Sequence, residues 1–294
     1  MPVVGVRREK GGGIMGSPLR DRMIGQMRIR HMSPKTEEAY IWAVSGLAKF
    51  YQSSPENVTK EQVQKYLLHL HDERKLSWSS CNIVYSALRF LYDSVLERPD
   101  ITFSIPPRCG EKHLPTLLSL EEVNRILNAP RSAKHRALLM TVYGAGLRVS
   151  EAVHLRPHHI ESSRKMLRVE QGKGNKDRYT LLPKTLIKEL RSYWRIHQPQ
   201  SWLFFGRDRN RPMPIRTAQK IYYDAKERAG ITKGRGIHTL RHCFATHLLE
   251  TGYDIFTIKR MMGHGAISTT ARYLHMTRAK LATIQSPLDT LKIN

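Results

Sequence analysis

Hydrophobic residues recur near every 3.6 positions over residues 22–105, which predicts a run of amphipathic helices. Three of these helices follow a serine or threonine that can cap the first turn, namely Ser33, Thr59 and the pair Ser79 and Ser80. A fourth, shorter helix is predicted to end near Val95. The pattern therefore predicts a small all-helical domain over residues 22–105.

Two segments beside this domain lack the helical periodicity. Residues 1–21 are basic and rich in glycine, which predicts a flexible tail. Residues 106–117 contain prolines and a glycine that cannot continue a helix, which predicts a linker. A second domain is therefore predicted to follow over residues 118–294.

The second domain mixes helical periods with short runs of β type. Ser119 and Glu122 fit a capping box at its first helix. Further helices are predicted at 137–143, 150–154, 184–196, 215–229, 239–250 and 254–262. Strands are predicted at 166–170, 178–182 and 202–205, the first two forming a hairpin. We therefore predict a mainly α fold: a four-helix N-terminal domain, and a mostly helical C-terminal domain with a small three-stranded antiparallel sheet.

The charge of the chain points to a polyanionic partner. Lys plus Arg number 49 against 25 Asp plus Glu, which gives a net charge of +24. Such an excess is typical of proteins that neutralise nucleic-acid phosphates. A membrane surface is the competing polyanion, but the sequence has no apolar run of about 18 residues and no signal peptide. We expect a soluble intracellular protein.

The cysteines and histidines give little sign of a metal site. The three cysteines are widely spaced, so they predict neither a disulfide framework nor a zinc ribbon. His154, His158 and His159 could share a helix face, as could His238 and His242. No Glu follows His238 in the zinc-protease pattern, because the next three residues are Thr-Leu-Arg. We therefore expect neither a metal nor a cofactor.

Groups that can hold or attack a phosphate are concentrated near the C-terminus. Arg241 offers a fixed cation with a fork of donors, and His238 and His264 can exchange protons near neutral pH. Tyr273 carries a hydroxyl that can act as a covalent nucleophile. Two cations from upstream complete the candidate set: Arg148 after a glycine turn, and Lys173 at the tip of the predicted hairpin. Together these groups suit phosphoryl transfer through a tyrosine ester.

The segments that carry these residues resemble the tyrosine recombinases of the phage-integrase family, most closely the Xer-like branch. The matching segments, in the family's order, are Gly-Ala-Gly-Leu-Arg-Val-Ser-Glu at 144–151, Gly-Lys-Gly-Asn-Lys-Asp-Arg at 172–178, His-Thr-Leu-Arg-His-Cys-Phe-Ala-Thr-His-Leu-Leu at 238–249, Met-Gly-His at 262–264 and Ser-Thr-Thr-Ala-Arg-Tyr at 268–273. The resemblance covers the chain from about residue 25. It implies that the front domain is a SAM-like core-binding domain and the second domain is catalytic.

The resemblance implies a role for each candidate in DNA strand cleavage. Tyr273 would attack the scissile phosphate and form a 3′-phosphotyrosyl intermediate with a free 5′-hydroxyl. Arg148 and Arg241 would clamp the phosphate. Lys173 would be the general acid for the leaving oxygen, and His238 would act in proton transfer from the tyrosine. The bond energy is kept in the ester, so the reaction would need neither ATP nor metal.

Three further residues would support this site by the same resemblance. His264 would hydrogen-bond the phosphate, and Glu151 would orient the cluster from behind. His242 lies inside the matched segment and is expected to support the site without a defined role.

The resemblance also implies partners. The residues after Tyr273 would dock on a neighbouring protomer, which suggests a homotetramer on two DNA duplexes with inverted-repeat core sites. Such a protein would act in the bacterial cytoplasm, in association with the nucleoid.

Two other functions remain open from the sequence. One is an architectural DNA-binding protein with the same fold and no catalysis, which the intact set of candidate residues disfavours. The other is an enzyme like a type IB topoisomerase, which would nick and close DNA without exchanging strands. The two-domain layout and the C-terminal tail favour recombination.

Overall fold

Four α-helices form the described part of the first of two units, which covers residues 1–111. They are α1 (Ser17–Ile29), α2 (Pro34–Tyr51), α3 (Lys60–Asp72) and α4 (Trp78–Phe90). Short 3₁₀ turns lie at Pro55–Asn57 and Pro99–Ile101. The structure is a computed structural model and describes residues 17–101, 116–170, 177–271 and 273.

The helix starts in this unit follow the capping residues that the sequence offers. Ser33 accepts a hydrogen bond from the Thr36 backbone N–H, and Thr59 forms the predicted capping box with Gln62. The third helix starts slightly earlier than predicted, because Ser77 is its cap. Each cap satisfies N–H groups that the helix itself leaves unpaired.

The fourth helix of the unit is not the one that the sequence predicted. The segment expected to form it, Leu91–Val95, continues α4 as a turn of π-helix. The missing helix is α1, which begins at Ser17, so residues 17–21 of the predicted flexible tail are helical. Leu19, Met23 and Met27 are buried at four-residue intervals on one face of α1. Ile24 packs beside them, and the basic and polar residues between these apolar positions obscured the pattern in the sequence.

The core of the first unit lies where α2 and α4 pack together. Leu47 and Leu88 are fully buried there, and α3 and α1 cover the sides. Tyr92 is also buried, and its hydroxyl donates to the Pro55 carbonyl at 2.9 Å. Arg22 joins α1 to the end of the π-helical turn by donating to the Val95 carbonyl at 2.6 Å.

The second unit, residues 112–294, is mainly helical over its described residues. Its helices are α5 (Leu120–Asn128), α6 (Ala133–Gly144), α7 (Val149–Val153), α8 (Lys184–His197), α9 (Ile215–Arg228), α10 (His238–Glu250), α11 (Ile255–Met262) and α12 (Ser268–Ala271). Ser119 and Glu122 form the predicted capping box of α5. Helix α6 supplies much of the core and packs against both α8 and α10.

A three-stranded antiparallel sheet completes the second unit, as predicted. Its strands are β1 (Ile160–Glu161), β2 (Met166–Val169) and β3 (Arg178–Leu181), in that order across the sheet. The register pairs Leu167 with Thr180 and Val169 with Arg178, so the predicted β2–β3 hairpin pairing is confirmed. This register places Arg178 at the first position of β3, where it enters the site described below.

The third strand of the sheet differs from the prediction. Residues 202–205 do not join the sheet, and Phe205 makes only an isolated bridge to Pro212. Leu203 and Phe204 are buried, as strand residues would be, but the Leu203 N–H donates to the Leu155 carbonyl at the end of α7. The actual third strand, β1, has only two residues and carries too short a pattern to predict.

None of the described helices combines the length and the hydropathy that a membrane span requires.

Candidate active site

Arg241 lies on the first turn of α10 and points into the protein. It is 4% exposed, and its two terminal nitrogens donate to the Gly146 carbonyl at 2.6 Å and the Met262 carbonyl at 2.7 Å. Burial and the charge of Arg148 lower the pKa of Arg241 to about 10, so the side chain remains cationic at neutral pH. The two carbonyls hold the guanidinium in one orientation.

Gly146 allows this arrangement because its backbone has a left-handed conformation, with φ of +61°. A Cβ at this position would lie 2.3 Å from the ring of Phe244 on α10. Only glycine combines this φ with such a close approach. The turn after α6 thus presents its carbonyl to Arg241 and leads directly to Arg148.

Glu151 is the anion on which the arginines converge. One carboxylate oxygen lies 2.7 Å from an Arg148 nitrogen, and both oxygens accept from Arg178, at 2.9 and 2.7 Å. Arg241 is within 3.7 Å of the same carboxylate. Burial alone would raise the pKa of Glu151, but the hydrogen bonds and charge of Arg178, together with those of Arg148, lower it to about 2. Glu151 is therefore ionised and orients all three arginines.

Arg178 is a member of the cluster that the sequence reasoning did not select. Its side chain also donates to the Met261 carbonyl at 2.9 Å, which ties β3 to α11. It is the last residue of the matched segment 172–178, and that place was the one signal available for it. Three guanidinium groups around one carboxylate leave a net positive site.

His264 lies beside Arg241 and is held from both ring nitrogens. Its Nε2 is 3.1 Å from an Arg241 nitrogen, and its Nδ1 is 2.8 Å from the Thr270 hydroxyl. Because arginine can only donate, Nε2 accepts and Nδ1 carries the proton. Burial and the charges of Arg241, Arg148 and Arg178 lower the pKa of His264 to about 3. The ring is therefore neutral at physiological pH.

His238 begins α10 and is exposed at the edge of the same cluster. Desolvation of part of its ring, with the charges of Arg241 and Arg148, lowers its pKa. A neutral imidazole at the surface of the cluster can accept a proton, which fits the role expected of it.

Tyr273 is buried and lies against a neighbouring face of α10. Its side chain is 1% exposed and packs in a small apolar cluster with Phe244, Ile258 and Met262. Its hydroxyl is 2.8 Å from Nδ1 of His242. The candidate nucleophile therefore lies close to the arginine cluster in the fold, while its oxygen is hydrogen-bonded to a histidine.

His242 thus has a specific contact, although the sequence gave it no defined role. The residue follows Arg241 on α10, so the two side chains leave the helix about 100° apart. The Arg241 side chain points towards Glu151 and the Gly146 carbonyl, and the His242 side chain points towards Tyr273. A single turn of helix therefore holds both halves of the candidate site.

Lys173, predicted as the general acid, lies outside the described residues. So do the other residues of the hairpin turn, 171–176. On one side of the turn, β3 begins with Arg178, which belongs to the cluster. On the other side, Glu170 follows the end of β2.

A group of possible metal ligands lies apart from the arginine cluster, within the described residues. The nearest nitrogen and oxygen atoms of His158, His159 and Glu170 are within 4.8 Å of one another. His159 Nδ1 accepts from the Arg156 backbone N–H at 3.1 Å, which puts the ring proton on Nε2. That Nε2 is 3.2 Å from Glu170, at a poor angle for a hydrogen bond. A metal at Nε2 would require Nδ1 to carry the proton, so His159 would lose its contact with the Arg156 N–H. The contacts of His159 therefore fit a structural role beside Glu170 better than metal binding.

The arrangement of the arginine cluster suits one kind of chemistry. Three guanidinium groups, a neutral histidine and the N-terminus of α10 face one region, and a tyrosine hydroxyl lies alongside. Such a site stabilises the extra negative charge that develops on a phosphate under nucleophilic attack.

Two family models match the two units of the chain. Residues 116–280 match the model of the phage integrase family, and residues 19–101 match the N-terminal SAM-like domain of phage integrases. The chain is 39% identical to the protein y4qK of Sinorhizobium fredii over 276 residues, which cover 94% of this chain and 90% of that protein. It is 33% identical to the tyrosine recombinase XerA of Thermococcus kodakarensis, over 86% of this chain and 89% of XerA.

Solved structures show the same fold. The XerH recombinase bound to a palindromic difH substrate has a TM-score of 0.69 at 18% identity, and covers 93% of this chain and 90% of its own. A lambda integrase dimer on a core site has the same TM-score and identity, over 87% of this chain and 94% of its own. The crystal structure of XerA recombinase is 26% identical, with a TM-score of 0.54 and coverage of 90% and 96%. By these family matches and sequence identities, this chain belongs to the phage integrase family of tyrosine recombinases.

Proposed function

We propose that this chain is a site-specific DNA recombinase that cleaves and rejoins strands through a covalent bond to Tyr273. The observation that carries the proposal is the convergence of Arg148, Arg178 and Arg241 on Glu151, with Tyr273 on the adjacent face of α10. Family membership makes it a DNA strand-cleaving and rejoining enzyme. The roles of the individual residues are our assignment.

In the proposed cleavage step, the Tyr273 oxygen attacks the scissile phosphorus. A bond forms between that oxygen and phosphorus, and the bond from phosphorus to the 5′-oxygen of the next nucleotide breaks. The tyrosine proton goes to His238, and the 5′-oxygen takes a proton from Lys173. Attack by a 5′-hydroxyl of another strand reverses these changes, so the reaction consumes no ATP.

Arg148 and Arg241 bind the non-bridging oxygens of the phosphate in this assignment. Both guanidinium groups are oriented before DNA arrives, because Glu151 and the Gly146 and Met262 carbonyls already hold them. Such preorganised donors stabilise developing charge without reorganisation at the moment of reaction. Arg178 acts indirectly in this assignment, because it binds Glu151 and so fixes that carboxylate to β3 and α11.

Three groups complete the assignment around the phosphate and the tyrosine. His264 is neutral without DNA, and a bound phosphate anion would raise its pKa and turn the ring into a hydrogen-bond donor. The Tyr273 hydroxyl must break its hydrogen bond with His242 and approach the phosphorus before it can attack. His242 therefore acts on the resting position of the nucleophile.

The proposed partner is double-stranded DNA with an inverted-repeat core site. The net charge of +24 and structural relatives that are bound to core sites support it. A lambda integrase tetramer on a Holliday junction is a further structural relative, which supports a homotetramer on two duplexes. We place this activity in the bacterial cytoplasm, at the nucleoid, where such DNA is found.

The test is a trapping experiment on a nicked duplex that carries inverted repeats from the DNA flanking the gene. The wild-type chain should form a covalent protein–DNA adduct without added magnesium, and Tyr273→Phe should form none. The matched control is Tyr253→Phe, which removes the hydroxyl of an exposed tyrosine on the same segment and should leave the adduct yield unchanged. An adduct that persists in Tyr273→Phe contradicts the nucleophile assignment.

The same preparation separates the other functions. Exchange between two duplexes supports recombination, whereas relaxation of supercoiled DNA without recombinant product supports a topoisomerase. Binding without an adduct on any substrate would support an architectural protein.

A further inference from the structure

Four basic residues form a stripe along the outer face of α8. Lys184, Lys188, Arg191 and Arg195 follow one another at intervals of four, three and four residues, which places them on one side of the helix. All four are exposed. We refer to these four residues as the α8 stripe.

The opposite face of α8 is the core face. Leu186, Leu190 and Tyr193 are buried there, and the helix packs on α6. Glu189, the one carboxylate of α8, also points inward and is held by two nitrogens of Arg136. The outer face of α8 therefore has no acidic residue of its own.

The charges of the α8 stripe are not neutralised by their surroundings. Among the described residues, no carboxylate lies within ion-pair distance of any of the four. Like charges at these helical spacings repel and destabilise the helix. A helix that only needed a solvated face would gain by mixing signs, as α9 does with Arg216, Lys220, Asp224 and Glu227.

The far end of α8 is also surrounded by cations. Lys134 and Arg209 both lie over the ring of Phe205, at 4.3 and 4.9 Å from its centre. Desolvation lowers the pKa of His197, the last residue of α8, and the charges of Lys134 and Arg209 lower it further. Arg209 has a local explanation, because it donates to the carbonyls of His197 and Gln198 at the end of the helix.

The shape of the surface suits an extended ligand. The stripe lines an open cleft of about 410 Å³, with the side chain of Ile187 between the cations. From Lys184 to Arg195 the helix rises about 16 Å. That is close to the axial length of about five phosphates on one strand of B-DNA.

We propose that the α8 stripe binds the phosphate backbone of a duplex segment other than the one that is cleaved. The stripe faces away from the core of the second unit, in which α6 contacts α10 and its Arg241. A phosphate held by Arg241 and a backbone lying on the stripe therefore contact different faces of the unit. The choice of DNA as the polyanion rests on the proposed function, while the stripe itself rests on charge and exposure.

The test compares the salt dependence of DNA binding by the full chain and by a variant with all four stripe residues changed to Gln. Each phosphate contact that is lost should reduce the slope of log K against log salt by about 0.9, and lower affinity about eightfold at 0.1 M salt. The chain is first bound to an unlabelled nicked duplex, and a labelled 40-base-pair duplex of random sequence, followed by fluorescence anisotropy, then reports the binding of a second segment. We expect the slope to fall by between about two and four.

The matched control changes four exposed arginines elsewhere in the second unit, Arg131, Arg164, Arg207 and Arg211, to Gln. It removes the same net charge and should lower the slope by less than one. Equal losses in the two variants, or an unchanged slope in the stripe variant, would overturn the proposal. Unchanged duplex binding with lost binding to phosphatidylserine vesicles would also overturn it, in favour of a membrane surface.

Two further measurements keep the result interpretable. Thermal unfolding followed by circular dichroism should show the stripe variant folded, because its substitutions leave the core face of α8 intact. The adduct on the nicked duplex should still form when the stripe variant is saturating. If neither the wild-type chain nor the stripe variant forms an adduct, but the stripe variant still has the smaller slope of log K against log salt, the proposed recombinase is contradicted and the stripe proposal is supported.

Discussion

The two sides of α10 hold their functional groups in different ways. On one side, Arg241 is fixed by two carbonyls and a carboxylate that also binds Arg148 and Arg178. On the other side, Tyr273 packs in an apolar cluster, and its hydroxyl contacts His242. The arginine side is already held in one arrangement by these contacts, whereas the Tyr273 hydroxyl is buried and hydrogen-bonded to His242.

This difference fits the roles that we propose for the two sides. Cations that stabilise a transition state are most effective when they are already oriented, so their hydrogen bonds are numerous and charged. A nucleophile has to reach a phosphorus atom, so the contact that holds it must be exchangeable. A neutral hydrogen bond contributes only about 1 kcal/mol. The contrast predicts large effects from changes on the arginine side and small ones on the tyrosine side, apart from the reacting oxygen itself.

Glu151→Gln should have the largest effect on stability. Removing one partner of a buried charge group typically costs about 3–5 kcal/mol, and here three arginines would lose their common anion. The free energy of unfolding, measured by urea titration, should fall by this amount. Asp208→Asn is the control, because its pair with Arg211 is exposed and should be worth at most about 1 kcal/mol. Similar losses in the two variants would contradict a special role for Glu151.

The same carboxylate should make stability depend on pH in a defined window. The pKa of Glu151 falls from 4.5 to about 2 on folding, so its contribution is complete above about pH 4.5. That contribution is lost as the pH falls from about 4.5 towards 2. Unfolding measured at intervals across this range should show a steeper loss for the wild-type chain than for Glu151→Gln. Parallel curves would mean that another group governs acid unfolding.

Arg241→Lys should reduce the rate of adduct formation by about 10²–10³, or about 2.7–4 kcal/mol in the barrier. Lysine keeps the charge, but its single nitrogen cannot contact two carbonyls and a phosphate in the geometry of a guanidinium. Single-turnover cleavage of the nicked duplex measures this effect. Arg136→Lys, at the ion pair of α6 with α8, should cleave at nearly the wild-type rate. A fully active Arg241→Lys would show that charge alone is sufficient.

His242→Ala should have the smallest effect. It removes one hydrogen bond to Tyr273, so we expect a loss of about 1 kcal/mol in unfolding free energy and less than a tenfold change in cleavage rate. His158→Ala, an exposed histidine outside the site, is the control. A loss of cleavage as complete as that of Tyr273→Phe would instead make His242 a direct participant in the reaction.

The helices were largely predictable because their signals are local. Caps such as Thr59 with Gln62 and Ser119 with Glu122 act within four residues, and the structure contains both. The failures arose where a local signal was short or ambiguous. β1 has two residues, and residues 202–205 have the composition of a strand but lie against α7 instead.

The sequence by itself determined the family, the order of the segments and the residue types that phosphoryl transfer needs, because these depend on chemical groups and spacing along the chain. Tertiary structure alone decided which groups meet. Arg178 reaches Glu151 across 27 residues, Arg241 reaches the Gly146 carbonyl across 95, and the Tyr273 hydroxyl pairs with His242. Such contacts depend on how α6, α10, α11 and β3 pack, and no local pattern encodes the packing of elements so far apart in sequence.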